Sequence, residues 1–299
     1  MEFFIQLTIA GIMSGSIYAL IALGFVLIYK CSRILNFAQG ELLMLGAYFC
    51  LSFIVGFHLS PIYSFLLTIL FSILLGFSVE RIFLRPLVGR SLVSMIMVTI
   101  GISMVFRSII LLIWGPNIKV YPKVISEAFL KVGPANLSMT QIWSFLIATF
   151  LIILFGAFFK YTHIGIRMRA VADDQQSALA TGVNVNNVIG TSWGVAASVA
   201  SIGGILLGNM STISPALGEF ALKVFPVVIL GGLESIIGAI IGGVMIGIIE
   251  NLAGGYLSPF VPGGIASGGI KAVSPFIVLL IILMIKPYGL FGIKEIERV

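Results

Sequence analysis

The feature that most constrains this chain is a succession of long, nearly uncharged apolar runs, the first of them from about Phe3 to Tyr29. About 20 apolar residues span a hydrocarbon core of roughly 30 Å as a helix. A bilayer gives the backbone no water to bond, and these runs are too uniformly apolar for the alternating strands of a barrel, which leaves helices. Further runs lie at about Phe37 to Phe57, Ile62 to Val79, Leu92 to Trp114 and Ile142 to Phe159, then Val188 to Gly208, Phe220 to Leu230, Ile236 to Ile249 and Val273 to Ile285. With 59% hydrophobic and 9% charged residues, against roughly 25% charged in a soluble domain, the expected fold is all-α: a polytopic membrane bundle of eight or nine spans, with residues 1–299 as one transmembrane domain. The first run has no cationic region ahead of it and is too long for a signal-peptide core, so it is expected to stay as the first span.

Lys and Arg are retained on the cytoplasmic side of a membrane. Lys30 and Arg33, then Arg81, Arg85 and Arg90, then Lys160, Arg167 and Arg169 occupy connectors that share one side if every intervening run crosses. That side is read as cytoplasmic and the N-terminus as external. The loop from Pro116 to Gln141, with Lys119, Lys123 and Lys131, falls outside and counts against the scheme. A cytoplasmic tail carrying Lys286, Lys294 and Arg298 requires the short Phe220 run to cross or dip. The net charge of +6 is therefore topological and does not indicate nucleic acid. Cys31, placed in a basic cytoplasmic connector, and Cys50 are expected to be free thiols.

Asp occurs only at 173 and 174 and His only at 58 and 163, all in connectors or at span edges. A membrane protease or acyl transferase needs such groups inside its bundle, so enzyme readings fall away. The remaining intramembrane ionisable candidates are Glu41, Arg107, Glu234 and Glu250. Arg107 is expected to snorkel to the nearer interface, and Glu250 to sit at a span end. No Gly-x-x-x-x-Gly-Lys-Ser/Thr sequence is present, so ATP is not hydrolysed by that route.

Three segments interrupt the apolar pattern. In Asn36-Phe37-Ala38-Gln39-Gly40-Glu41, Asn36 is a candidate N-cap answered by Gln39 three residues on, with Glu41 near the positive helix end. In the connector at 160–187, the stretch Ala172 to Ala180 predicts one short polar helix, with Asp173 and Asp174 near its start and Thr181-Gly182 as its C-terminal stop. Gly231-Gly232-Leu233-Glu234-Ser235, followed by Gly238-Ala239, predicts a broken helix whose opened backbone faces protein or water. The pairs Gly11/Gly15, Gly204/Gly208, Gly238/Gly242 and Gly243/Gly247 predict close helix packing.

Taken together, Leu35 to Glu41 with Gly46-Ala47-Tyr48, Gly165 to Ala170 leading into Ala180 to Asn184, and Gly231 to Ser235 with Gly238-Ala239 resemble the permeases of branched-chain amino acid ABC importers, in order and along almost the whole chain. The chain looks more like the shorter, H-type permease. The resemblance implies a second, related permease, two cytoplasmic ATPases that bind the ATP, and a periplasmic binding protein delivering the substrate, with no cofactor on the chain itself. Because both segments interrupt helices and echo one another, Gly40-Glu41 before Gly46-Ala47 and Glu234-Ser235 before Gly238-Ala239, Asn36, Gln39, Gly40, Glu41, Gly231, Gly232, Glu234 and Ser235 are expected in the substrate pathway. The polar connector helix needs a partner surface, and with the resemblance this makes Arg167, Arg169, Asp173, Asp174, Gln176, Ser177, Ala178 and Gly182 the candidates for ATPase coupling. By spacing to Gly182, the family's Glu-Ala-Ala-x-x-x-Gly loop falls on Gln176, Ser177 and Ala178, two of which differ from it, and the Gly231 to Gly238 turn is the rival dock. A permease for urea, amides, sugars or nucleosides, and an ion-coupled carrier using Glu41 and Glu234, are the alternatives. Glu41→Ala and Glu234→Ala are expected to lower solute uptake by vesicles without lowering membrane insertion on immunoblots; uptake at the wild-type rate in both removes these residues from the pathway.

Overall fold

The computed structural model describes residues 1–87, 90–122, 129–132, 135–258, 266–286 and 289–292; Lys123, Lys294 and Arg298 of the charge count lie outside them. Helices form where the apolar runs predicted them: α1 (Glu2–Ser32), α2 (Gln39–Leu51), α3 (Pro61–Val79), α4 (Leu92–Trp114), α5 (Met139–Tyr161), α8 (Val185–Met210), α9 (Phe220–Gly231), α10 (Ile236–Leu257) and α11 (Ala266–Ile285). Two short helices, α6 (His163–Asp173) and α7 (Gln175–Ala180), fill the polar connector. A π turn, Ser52–Gly56, prolongs α2, and another, Glu80–Leu84, prolongs α3.

Several starts are fixed by side-chain caps that satisfy otherwise orphaned amides. Ser91 accepts from the Ser94 amide at 3.3 Å, Asn184 from Asn187 at 3.1 Å and Ser235 from Gly238 at 2.9 Å. Among the described residues, seven helices are long and apolar enough to cross a membrane, and α11 adds a shorter apolar stretch over Gly269–Ile285. The 12 residues of α9 rise only about 18 Å. The short Phe220 run is therefore too short to span as α9 alone. The loop between α4 and α5 holds an antiparallel strand pair, β1 (Phe129–Val132) with β2 (Ala135–Ser138), which the reading by apolar runs did not anticipate.

Contacts gather the described residues into two compact units, one comprising Met1–Val26, Ile125–Thr149 and Leu222–Val299, the other Leu27–Val124 and Phe150–Ala221. In the first unit, α1 and α10 meet along glycines: a Cβ on Gly247 would lie 2.4 Å from the Gly11 carbonyl oxygen, and one on Gly15 would lie 2.7 Å from that of Gly243. This is the close approach predicted for small residues, where dispersion contacts replace what lipid cannot supply. Glu250 does not end a span, because α10 continues to Leu257. Its carboxylate is buried and accepts a 2.6 Å bond from the Tyr18 hydroxyl, while Asn251 donates to Ser14 Oγ at 2.9 Å. Polar residues read as a helix end are thus satisfied across the α1 contact.

In the second unit, α2 and α3 pack on α8. A Cβ on Gly76 would stand 2.4 Å from the Trp193 carbonyl oxygen, and one on Gly204 would stand 2.0 Å from that of Leu43. Gly208, paired with Gly204 in the sequence, instead meets the side chains of Ile213 and Tyr121. Trp193 is fully buried among Ile28, Ala38, Val79, Leu84 and Ile102. The apolar residues Leu66, Leu70, Met104 and Leu112 of α3 and α4 are exposed. Cys31 belongs to the last turn of α1 and not to a loop, and both it and Cys50 are buried free thiols. Gly247→Leu is expected to overpack the α1–α10 crossing by about 1–3 kcal/mol, seen as a lower midpoint for thermal unfolding in detergent; an unchanged midpoint would show that the crossing yields.

Candidate functional site

The first candidate segment lies at membrane depth. Gln39 Nε2 donates to the carbonyl of Ala196 at 3.2 Å, and Ala196 is eleven residues into α8, roughly 17 Å along it. α2 therefore begins within the bilayer, after a non-helical stretch of 33–38. Asn36 is not its N-cap. The helix starts at Gln39 behind Ala38, and Asn36 forms an Asx turn, accepting from the Ala38 amide at 3.0 Å while its own amide donates to Gln39 Oε1 at 3.0 Å. The two side chains answer one another as the spacing suggested, with Asn36 two residues ahead of the N-cap position. Thr99 of α4 serves the same stretch, lying 3.4 Å from the Phe37 amide and 3.3 Å from the Leu35 carbonyl. Asn36 and Gln39 are fully enclosed, and Glu41 nearly so.

Gly40 lets this start approach another break: a Cβ there would lie 2.1 Å from the carbonyl oxygen of Gly218, in the 3₁₀ turn Pro215–Glu219 that leads into α9. Arg107 of α4 does not snorkel. Its guanidinium donates to Glu219 at 2.7 Å and to the Pro215 carbonyl at 3.3 Å. The Cα–Cβ bond of a helical residue leans toward the helix N-terminus, which turns Arg107 away from the nearer, Trp114 end of α4 and toward this turn. Sequence reasoning missed Glu219, which lies between the Val188 to Gly208 and Phe220 to Leu230 runs.

The connector is two helices, not one. Asp174 is extended (φ −157°, ψ 115°) and separates them. Its carboxylate accepts from the Gln176 amide at 2.8 Å, the Ser177 amide at 3.2 Å and the Ser177 hydroxyl at 2.9 Å. The bonds from the Ser177 amide and hydroxyl, then from the Gln176 amide, hold the Asp174 carboxyl below its usual range. At the other end the prediction holds: Gly182 has φ +83°, its amide bonds the Leu179 carbonyl at 3.0 Å, and the Val183 amide bonds that of Ala178 at 3.0 Å, which is a Schellman stop.

Within the predicted coupling set, Asp173, Gln176 and Ser177 are exposed and Ala178 is buried. Arg167 is exposed and lines a cavity of about 430 Å³ together with Ile164, Gly182, Asn184, Asn187 and Thr191. Arg169 turns back on α5, donating to the Phe159 carbonyl and lying 5.7 Å from the Phe159 ring centroid. A residue not singled out before, Gln175, donates to the Cys31 carbonyl at 3.1 Å, and the Cys31 thiol faces the Met168 carbonyl at 3.8 Å. The connector therefore grips the end of α1. Glu80, also missed, is buried against Arg85 at 3.2 Å, and Arg85 reaches the Asn186 carbonyl at 3.3 Å, tying the end of α3 to the start of α8.

The third segment is a tight helical hairpin. α9 ends at Gly231, Gly232 has φ +99°, and Ser235 caps α10. A Cβ on Gly231 would stand 2.3 Å from the Gly238 carbonyl oxygen, and the Leu290 amide bonds the Leu230 carbonyl at 2.7 Å. Glu234 and Ser235 are half-buried. Among the described residues, no three His, Cys, Asp or Glu side chains gather as a metal site would require.

Long apolar helices, two of whose breaks are held by protein groups, and a polar connector bound to the end of a span define a multi-pass membrane permease. The family model described as "branched-chain amino acid transport system / permease component" matches residues 7–285, and the chain belongs to that family. It is 31% identical over 99% of its length to the high-affinity branched-chain amino acid transport system permease protein LivH of Salmonella typhimurium, covering 98% of that protein. It is 30% identical to BraD of Pseudomonas aeruginosa, over 99% of this chain and 98% of that one. A probable LivH of Methanocaldococcus jannaschii is also 30% identical, over 96% and 93% of the two chains. The fold is similar to that of a chain in PsaBC from Streptococcus pneumoniae in complex with Fab, with a TM-score of 0.52 at 14% identity over 97% of this chain and 94% of that one. The protein is a multi-pass protein of the inner membrane.

At neutral pH the Asp174 cap is fully charged. A depressed carboxyl stabilises the fold above its unfolded pKa of about 4 and loses that contribution only as pH falls through its lower folded value. Asp174→Ala is therefore expected to speed hydrogen exchange at the Gln176 and Ser177 amides at pH 7, measured by mass spectrometry; unchanged protection would show that α7 does not depend on its cap.

Proposed function

We propose that the chain, working as a single permease domain, is a membrane subunit of an ATP-driven importer. It would form part of the pathway for branched-chain or similar hydrophobic amino acids handed over by a periplasmic binding protein. Its partners would be a second permease subunit and two cytoplasmic ATPases. The names of the relatives support the substrate class, and the absent nucleotide-binding sequence is in keeping with energy supplied by partners. The pathway is assigned to Gly40 and Glu41, positioned by Asn36 and Gln39, and to the Gly231, Gly232, Glu234 and Ser235 turn.

The observation that carries this reading is the bond from Gln175 to the Cys31 carbonyl. An ATPase pressing on the exposed face of the α6–α7 pair, at Asp173, Gln176 and Ser177, would move the end of α1. Residues 33–38 follow that end directly and lead to Glu41 at the start of α2. Packed interfaces shift between discrete arrangements and do not deform continuously, so a displacement of the connector would be delivered to the pathway instead of being absorbed.

Gly182→Val places a β-branched residue at positive φ and is expected to reduce co-purification of the ATPases. Gln175→Ala is expected to leave the complex assembled while lowering uptake per ATP hydrolysed. Full co-purification and uptake in both variants would move the dock to the rival turn at Gly231 to Gly238.

A further inference from the structure

Arg107 and Glu219 make an ion pair whose side chains remain 38% and 62% exposed. Their depth makes that exposure informative. Arg107 stands seven residues from Trp114 and fifteen from Leu92 within α4, roughly 10 Å and 22 Å along the helix, and Glu219 is held beside it. Charged groups facing hydrocarbon at such depth cost several kcal/mol, and intramembrane charges turn to water-filled cavities or protein. The open side of this pair is therefore turned to water or to a neighbouring protein surface and not to lipid.

Glu41 belongs to the same cluster. Its Oε1 would lie 3.3 Å from a Cβ on Gly218, the neighbour of Glu219. Glu41 and the Arg107–Glu219 pair thus lie where two chain breaks meet: the start of α2 and the turn before α9.

Resting on the importer reading above, we infer that Arg107, Glu219 and Glu41 form a recognition site for the charged ends of a zwitterionic α-amino acid. Arg107 takes the α-carboxylate in place of Glu219, and Glu219 with Glu41 takes the α-ammonium. The exchange is balanced in charge: an ion pair opens and the zwitterion supplies one group of each sign. An uncharged solute such as urea or a sugar offers nothing to offset the opened pair. This site reads the invariant part of an amino acid and ignores its side chain, so it separates amino acids from the other solute classes.

The test is leucine transported per ATP hydrolysed by the whole importer, with binding protein, in proteoliposomes. Arg107→Gln, Glu219→Gln and Glu41→Gln are each expected to lower the ratio about tenfold or more, a loss of at least about 1.4 kcal/mol of discrimination between productive and empty cycles. The double exchange Arg107→Glu with Glu219→Arg remakes the ion pair but inverts its polarity beside Glu41, and the ratio is expected to stay low. Recovery in the double exchange would show that the pair only braces α4 and would overturn the inference. If the double exchange does not assemble, the glutamine variants decide, and a wild-type ratio in Arg107→Gln overturns it. Failure of the unmodified complex to accumulate leucine with ATP would instead remove the importer reading beneath it.

Discussion

In a bilayer, a peptide group that leaves a helix must find its partner within the protein. The chain between α1 and α2 leaves helical structure at membrane depth, and three side chains make that possible. Asn36 accepts from the Ala38 amide, Thr99 reaches Leu35 and Phe37, and Gln39 is anchored to Ala196. Without them, residues 33–38 would bury unsatisfied amides at a few kcal/mol each. Because they are present, a helix start, its glycine and its carboxylate can stand inside the membrane, which is where discontinuous helices build solute sites.

The same segment gives the connector something to act on. α6 and α7 touch the end of α1 through Gln175 and Met168, and residues beyond that end are held by hydrogen bonds and not by a continuous helix. A hydrogen-bonded stretch between two rigid helices can take two arrangements, whereas glycine-packed crossings such as α2 on α8 keep their register. In the proposed function, motion would thus be concentrated where the pathway residues are assigned.

The spans were legible because a bilayer writes its thickness directly into sequence: the run at Leu92 to Trp114 coincides with α4, and α3 and α9 differ from prediction by a residue at one end. The glycine stops at Gly182 and Gly232 were legible for a local reason, since positive φ has its own residue preference. What was hidden depended on partners distant in the chain. Glu250 looked like a helix end until Tyr18 supplied its hydrogen bond, and Arg107 looked free to snorkel until Glu219 appeared beside it. Asn36 was read as a cap because the three-residue spacing to Gln39 is shared by capping boxes and Asx turns. The connector split at Asp174 because its side chain caps the helix that follows, a choice that local propensity alone left open.

The claim that unites these features is that the chain conducts solute but does not energise its movement. The most direct measurement is concentrative leucine uptake into proteoliposomes holding either the purified chain or the chain assembled with ATPases, second permease and binding protein. Accumulation is predicted only for the assembly and only with ATP. Accumulation by the chain alone, driven by a sodium or proton gradient, would contradict the account.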